Sequence, residues 1–305
     1  MPGAANGTLI LIGGDEDKRD ARTILRRVVD ECGAGEIAVI TTASSIPQEL
    51  GHQYRQAFGD LGARHVQVLD IRHRDEADRP EHLEVVRSSA ALFFSGGDQH
   101  QLVTILEGTA LIRQVRQSFA AGTVVAGTSA GAAAAGEVTI FNGDNQGLIR
   151  GAVKHSAGFG FLPGIIVDTH FVERARIYRL AQALAAGLCP RGIGLAEDTA
   201  LVVRPGGSAE VIGRGVATVL DAASLSHSDA SAVPAGGMVS LEGLRLGFLG
   251  PGTRFDLEAW AVDDGGSRPA VPAGTSPAAK RGVVQQMRAL FGKSKDPGGT
   301  HSIRR

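Results

Sequence analysis

What most limits the folding options of this chain is the alternation, through its first two thirds, of short apolar runs with longer helix-patterned segments. Runs rich in β-branched residues occupy 8–12, 37–41, 65–71, 91–95, 123–126, 165–170 and 200–203. Between them, 17–32, 48–61, 101–121 (interrupted near Gly108) and 172–186 carry the apolar spacing of amphipathic helices. Parallel strands need crossover connections, usually helical, so this order predicts an α/β class with a mostly parallel sheet. From about Ala209 the pattern turns to short β segments at 211–212, 216–220 and 238–249, separated by Ser, Gly and Pro. These predict an antiparallel β extension over 209–262, which leaves 1–262 as a single α/β domain with its core at 7–220. Residues 263–305 hold eight Lys or Arg against three Asp among Gly, Pro and Ser, and read as a disordered basic tail.

Composition narrows the function. Hydrophobic residues are 43% of the 305 and charged residues 21%, enough for a substantial core, while the formal net charge is -1. A near-neutral total makes no case for nucleic acid or a membrane surface as partner, so a small partner is expected. No run approaches the ~18 apolar residues of a membrane span. The N-terminal residues lack a basic region followed by an apolar stretch, which predicts a cytoplasmic protein. Cys32 and Cys189 stand outside any CxxC pattern, so neither a disulfide framework nor a zinc site is expected, and no metal or cofactor. The outlier is glycine, 42 residues, about twice its usual share of ~7%.

Much of that glycine falls where strands end. The strand-like runs pass into Gly13-Gly14-Asp15, Thr42-Ala43-Ser44, Gly96-Gly97-Asp98-Gln99, Gly127-Thr128-Ser129 and Asp168-Thr169-His170. In open parallel sheets ligands bind beyond the carboxyl ends of the strands, so these turns should meet in one crevice. Gly127-Thr128-Ser129-Ala130-Gly131 has the GxSxG form of a nucleophile on a tight strand-to-helix bend, with glycines relieving the crowding. The Ala130 N–H at the helix start would stabilise an oxyanion, and Gly97 on the neighbouring turn would supply a second donor, with Gln99 aimed at substrate. The same Gly96–Gln99 segment also fits an ordinary turn closed by an Asp N-cap.

A serine hydroxyl needs a base. Of nine histidines, His170 ends an apolar strand and should lie at the same sheet edge as Ser129. Its orienting acid would be Glu197 or Asp198, just before the run at 200–203. The order Ser, His, acid differs from the Ser, acid, His order of α/β-hydrolases. Arg174, Arg176 and Arg179 follow His170. Arginine suits bidentate carboxylate binding and would imply an acidic substrate, whereas a solvated helix face with Glu173 paired to Arg176 fits the same spacing.

Gly13-Gly14 with Glu16-Asp17-Lys18, Gly96–Gln99, Gly127–Ala132, Gly160-Phe161-Leu162-Pro163-Gly164, Asp168–Phe171 with the three arginines, and Glu197-Asp198-Thr199-Ala200 together resemble the cyanophycinase family of serine peptidases over about 7–220. The resemblance implies a flavodoxin-like, three-layer α/β/α fold akin to class I glutamine amidotransferases and a homodimer. It also implies the substrate cyanophycin, a poly-aspartate carrying arginine, cut to β-aspartyl-arginine dipeptides. It assigns Ser129 as nucleophile, His170 as base and Glu197 as the orienting acid. Gly97 and Ala130 become the oxyanion donors, and Gln99, Asp168, Thr169, Arg174, Arg176 and Arg179 line the substrate site. One departure is Thr169, where the family usually carries Gln; the lost substrate hydrogen bond costs about 0.5–1.5 kcal/mol. An aspartyl dipeptidase-like enzyme of the same fold, acting on short Asp peptides, and a non-catalytic protein holding an anion at helix N-termini fit these residues too.

Overall fold

The structure is a computed structural model and describes residues 6–143 and 147–264; the basic tail read from sequence lies, from 265 on, outside the described residues. Residues up to Asp263 gather into one compact unit. Five parallel strands come first: β1 (Leu9–Ile12), β2 (Ile37–Ile40), β3 (Val66–Leu69), β4 (Ala91–Phe94) and β5 (Val124–Thr128), in spatial order β1-β5-β4-β2-β3. Helices α1 (Thr23–Cys32), α2 (Pro47–Asp60), α3 (Pro80–Ser88), α4 (Gln99–Leu106) and α5 (Ala110–Ala121) connect them, and the short α6 (Ala130–Ala134) follows β5. The interruption expected near Gly108 separates α4 from α5, with Gly108 at φ 74° and Thr109 capping α5.

The chain then builds a second sheet from β6 (Gly136–Asn142), β7 (Lys154–Ala157), β8 (Leu162–Asp168) and β9 (Arg191–Leu195), with α7 (Ile177–Ala185) crossing from β8 to β9. The C-terminal extension feeds both sheets. β10 (Thr199–Val203) lies antiparallel to β1 and is followed by β11 (Ser208–Gly213), while β12 (Ala217–Asp221) pairs with β9. A ribbon of β13 (His227–Ser228) and β14 (Leu241–Glu242) precedes β15 (Arg245–Leu249), which closes the second sheet beside β12. β16 (Arg254–Asp256) and β17 (Ala261–Val262) extend the first sheet beyond β11. The fold is flavodoxin-like α/β, as expected, with one refinement: the strand leading to His170 belongs to the second sheet.

That division follows from side-chain size. All five residues of α6, Ala-Gly-Ala-Ala-Ala, are buried, and the helix contacts β1, β4, β5, β6 and β8. With no side chain larger than a methyl, it lets the second sheet approach the first. Within the first sheet, alternate residues face opposite sides. Ile10, Ile12, Val39 and Phe93 pack with Ile24, Leu25 and Val28 of α1 and Tyr54 and Phe58 of α2. Leu9, Leu11, Ile40, Leu92 and Phe94 face α4, α5 and α6. β1, β2, β4 and β5 are therefore buried throughout, as strands covered on both faces must be.

Two helices start later than their sequence patterns suggest. α1 begins at Thr23 because the Asp17 carboxylate accepts hydrogen bonds from the backbone N–H groups of Arg19, Asp20 and Arg22, each at 2.9 Å, wrapping residues 17–22 into a loop. α7 begins at Ile177, since His170 at φ 47° and Ala175 at φ 49° hold residues 170–176 as turns.

The backbone donors around Asp17 hold its carboxyl well below the usual carboxylate range. A depressed folded-state value stabilises the fold above the unfolded value of about 4, and this contribution fades as pH falls toward the folded value. Asp17→Asn should therefore lower the urea midpoint at neutral pH, and its difference from the parent should shrink steadily in unfolding curves recorded below about pH 4. Phe93, fully buried and tilted against Tyr54 at 4.7 Å, with Phe58 edge-on at 5.3 Å, tests the core. Phe93→Ala should cost about 3–5 kcal/mol in the same measurement.

Candidate active site

Ser129 occupies the bend between β5 and α6 with φ 49° and ψ -107°, a region that non-glycine residues rarely enter. Its own N–H is fixed to the carbonyl of Ile12 at 3.0 Å, and its carbonyl accepts from Ala133 at 2.9 Å. The flanking glycines are needed for closeness rather than for unusual dihedrals. A Cβ on Gly127 would lie 2.5 Å from the Gly131 carbonyl carbon, and one on Gly131 would lie 2.4 Å from the Phe94 carbonyl oxygen.

The bend aims Ser129 across to the second sheet. Its Oγ lies 2.8 Å from His170 Nε2, and His170 Nδ1 lies 2.7 Å from Glu197 Oε1. A carboxylate can only accept, so Nδ1 carries the ring proton and Nε2 is left to accept from the serine hydroxyl. His170 is 8% exposed, so the ring is largely withdrawn from water. Its backbone N–H donates to Gly13 O at 2.8 Å, and the next N–H, of Phe171, donates to Leu195 O at 3.0 Å. Gly14, at φ 100°, lies directly against the ring: a Cβ there would fall 2.4 Å from His170 Cε1.

Local spacing left Glu197 and Asp198 as alternatives, the family resemblance named Glu197, and the two lie in different contacts. Glu197 meets His170, whereas Asp198, at φ 45°, ties loops together. Its N–H donates to Gly14 O at 2.9 Å. Its carboxylate accepts from the Asp17 N–H at 2.9 Å and pairs with Arg214 at 2.5 Å.

On the other flank, Gly97 sits at φ 141°, where a Cβ would strike Ala43 O at 2.0 Å. The adjacent Gly96 lies against Ser129, with the position of a Cβ 3.3 Å from the serine Cβ. Among the described residues, neither the Gly97 nor the Ala130 N–H donates to a protein acceptor. Asp98 caps α4, accepting from the N–H groups of His100 at 2.7 Å and Gln101 at 3.2 Å. The segment is thus a capped turn whose Gly96 lies against the serine. Gln99 donates its Nε2 to Ile140 O at 2.7 Å, bracing β6.

Of the remaining candidates, Asp168, Arg176 and Arg179 form an ionic cluster with Thr169 on the segment that carries the histidine. Asp168 is 1% and Arg179 4% exposed, and the guanidinium engages both carboxylate oxygens, with Nε donating at 2.7 Å. Arg176 approaches the same carboxylate at 3.4 Å and donates to Thr169 O at 2.7 Å. Arg176 therefore pairs with Asp168 and not with Glu173. Burial, acting ahead of the repulsion from Arg179 and Arg174, pulls the Arg176 guanidinium down to about 10. Thr169 is buried and donates its N–H to Asp168 Oδ1 at 2.8 Å. Arg174 lies exposed in the turn before α7.

Sequence reasoning missed two contributors. Gly13-Gly14 was visible only as a motif, yet it forms the seat of the histidine. Glu16 is buried, accepting from the hydroxyls of Tyr54 and Thr128 at 2.5 Å each. Among the described residues, no group of three or more His, Cys, Asp or Glu is arranged to hold a metal, and no helix is long and apolar enough to cross a membrane.

Comparisons with known proteins place the chain in a family. The model of peptidase family S51 matches residues 9–212. The cyanophycinase of Geminocystis herdmanii is 37% identical over 253 residues, covering 82% of this chain and 93% of its own. That of Trichormus variabilis is 36% identical over 260 residues, covering 84% and 87%. The crystal structure of a peptidase from an acI-B1 Actinobacterium shares the fold, with a TM-score of 0.62 at 24% identity, covering 83% of this chain and 98% of that one. A family model spanning most of the chain, together with relatives at this identity over most of their length, means that the chain belongs to peptidase family S51, the cyanophycinase family, and is a serine peptidase.

Proposed function

We propose that the protein is a cyanophycinase that releases β-aspartyl-arginine dipeptides through a Ser129–His170–Glu197 triad. The observation that carries this reading is the unbroken relay of 2.8 Å and 2.7 Å from serine to carboxylate. Ser129 Oγ attacks the scissile carbonyl as its proton passes to His170 Nε2, and Glu197 stabilises the resulting imidazolium. The oxyanion is received by the Gly97 and Ala130 N–H groups. Collapse of the tetrahedral intermediate breaks the C–N bond, and the departing amine takes the proton from His170. Water, deprotonated by the same nitrogen, then attacks the ester and frees Ser129.

The substrate assignment rests on the relatives, which bear the name cyanophycinase, and on the chemistry around the relay. Arg174 and Arg176 would receive aspartate carboxylates, with the Asp168–Arg179 pair and Thr169 holding that wall. Gln99, whose amide nitrogen is engaged by Ile140, offers its Oε1 to substrate donors. Thr169 in the place of Gln favours one competing reading, an aspartyl dipeptidase-like specificity for short peptides. The assembly is a cytoplasmic homodimer, and light scattering on the purified protein checks its mass.

Incubation with purified cyanophycin should yield β-aspartyl-arginine. Cleavage of short Asp peptides with the polymer left intact moves the assignment to the dipeptidase reading. Ser129→Ala should abolish release and stoichiometric labelling by a fluorophosphonate without unfolding the protein; full activity in this variant sinks the triad. Glu197→Gln preserves shape but favours the wrong histidine tautomer, and kcat should drop roughly 10³–10⁴-fold. A loss below tenfold in single-turnover assays would remove Glu197 from its role.

A further inference from the structure

Glu16 takes no part in the relay, yet it is 3% exposed and engaged from three sides. The Tyr54 hydroxyl from α2 donates to Oε1 at 2.5 Å, the Thr128 hydroxyl donates to Oε2 at 2.5 Å, and the Lys18 ammonium lies 2.7 Å from Oε1. Burying an ionised carboxylate is costly unless it is paired and hydrogen-bonded, and here every partner is supplied. Thr128 is the last residue of β5, immediately before the strained Ser129. A sparsely populated backbone conformation persists only where its surroundings over-determine it.

The loop that carries Glu16 also touches the other two members. Gly13 O accepts from the His170 N–H at 2.8 Å and Gly14 O from the Asp198 N–H at 2.9 Å, next to Glu197. Gly14 also lies against the imidazole. Nucleophile, base and acid are thereby referenced to one short segment, residues 13–17, although they come from separate elements.

We propose that Glu16 is a positioning residue for the peptidase reaction: by pinning the loop after β1 to Thr128 and Tyr54, it sets Ser129 in register with His170 and Glu197. This inference rests on the triad reading above. Misplacing reacting groups by about 1 Å can cost on the order of 100-fold in rate, so a loosened pin should act on turnover before it acts on substrate affinity.

Two variants test this. Glu16→Gln keeps the shape and removes the charge; Thr128→Val removes only the hydroxyl that meets Glu16. Each is assayed for kcat and KM on a soluble trimer of β-aspartyl-arginine units, for the rate of fluorophosphonate labelling, and for its urea midpoint. In both, kcat and the labelling rate should fall about 10–100-fold while KM stays within about twofold. The double variant should be no worse than the more severe single, because both break one linkage. Unchanged kcat and labelling in a folded Glu16→Gln protein overturn the inference, as do losses that add in full in the double variant. Labelling that persists in Ser129→Ala would instead overturn the triad, so the two failures are distinguishable.

Discussion

The close approach of two sheets across a helix with no side chain larger than a methyl is the constraint on which the rest of the molecule depends. α6 occupies that gap with five buried Ala and Gly residues. A single leucine there would wedge the layers apart, and the 2.8 Å contact between Ser129 on the first sheet and His170 on the second would open. Because interiors pack as densely as organic crystals, such a displacement cannot be absorbed by slack elsewhere. The proposed Ser129–His170 contact therefore rests on the smallness of the residues that follow the serine.

Electrostatics adds a second layer of fixation. Net charge is close to zero, but the charged groups near the relay are paired. Asp168 is enclosed by Arg179 and Arg176, Asp198 by Arg214 and the Asp17 amide, and Glu16 by Lys18 and two hydroxyls. The bonds from Tyr54 and Thr128 to Glu16 and from the Asp17 N–H to Asp198 join segments distant in sequence. In the Asp168–Arg179 pair, buried on both sides, removing one partner would leave an uncompensated charge, which costs about 3–5 kcal/mol.

Much of this was legible in the chain because it follows from local periodicity. The β-branched runs and helical spacings located the parallel strands. The GxSxG bend and the strand-terminal His170 were readable for the same reason, since both depend on residues a few positions apart. What escaped depends on distant partners. Nothing local distinguishes Glu197 from Asp198 as the group that meets His170. Likewise, the spacing of Arg176 and Arg179 fits a solvent-facing stripe as well as the inward pair that closes on Asp168. The late start of α1 was hidden in Asp17, whose side chain competes with the helix for the N–H groups of Arg19, Asp20 and Arg22. The strand leading to His170 was legible as a strand, but its membership of the second sheet was decided by α6.

The distribution of the proposed triad over two sheets also bears on biosynthesis. Ser129 follows β5 in the first sheet, His170 follows β8 in the second, and Glu197 lies in the link between β9 and β10, where the chain passes from the second sheet back to the first. A nascent chain that has made only β1 to β5 holds a serine without a base. One that has also made β6 to β8 still lacks its acid until β10 slots in beside β1. The proposed relay is therefore complete only when both sheets are in place and the link between β9 and β10 joins them.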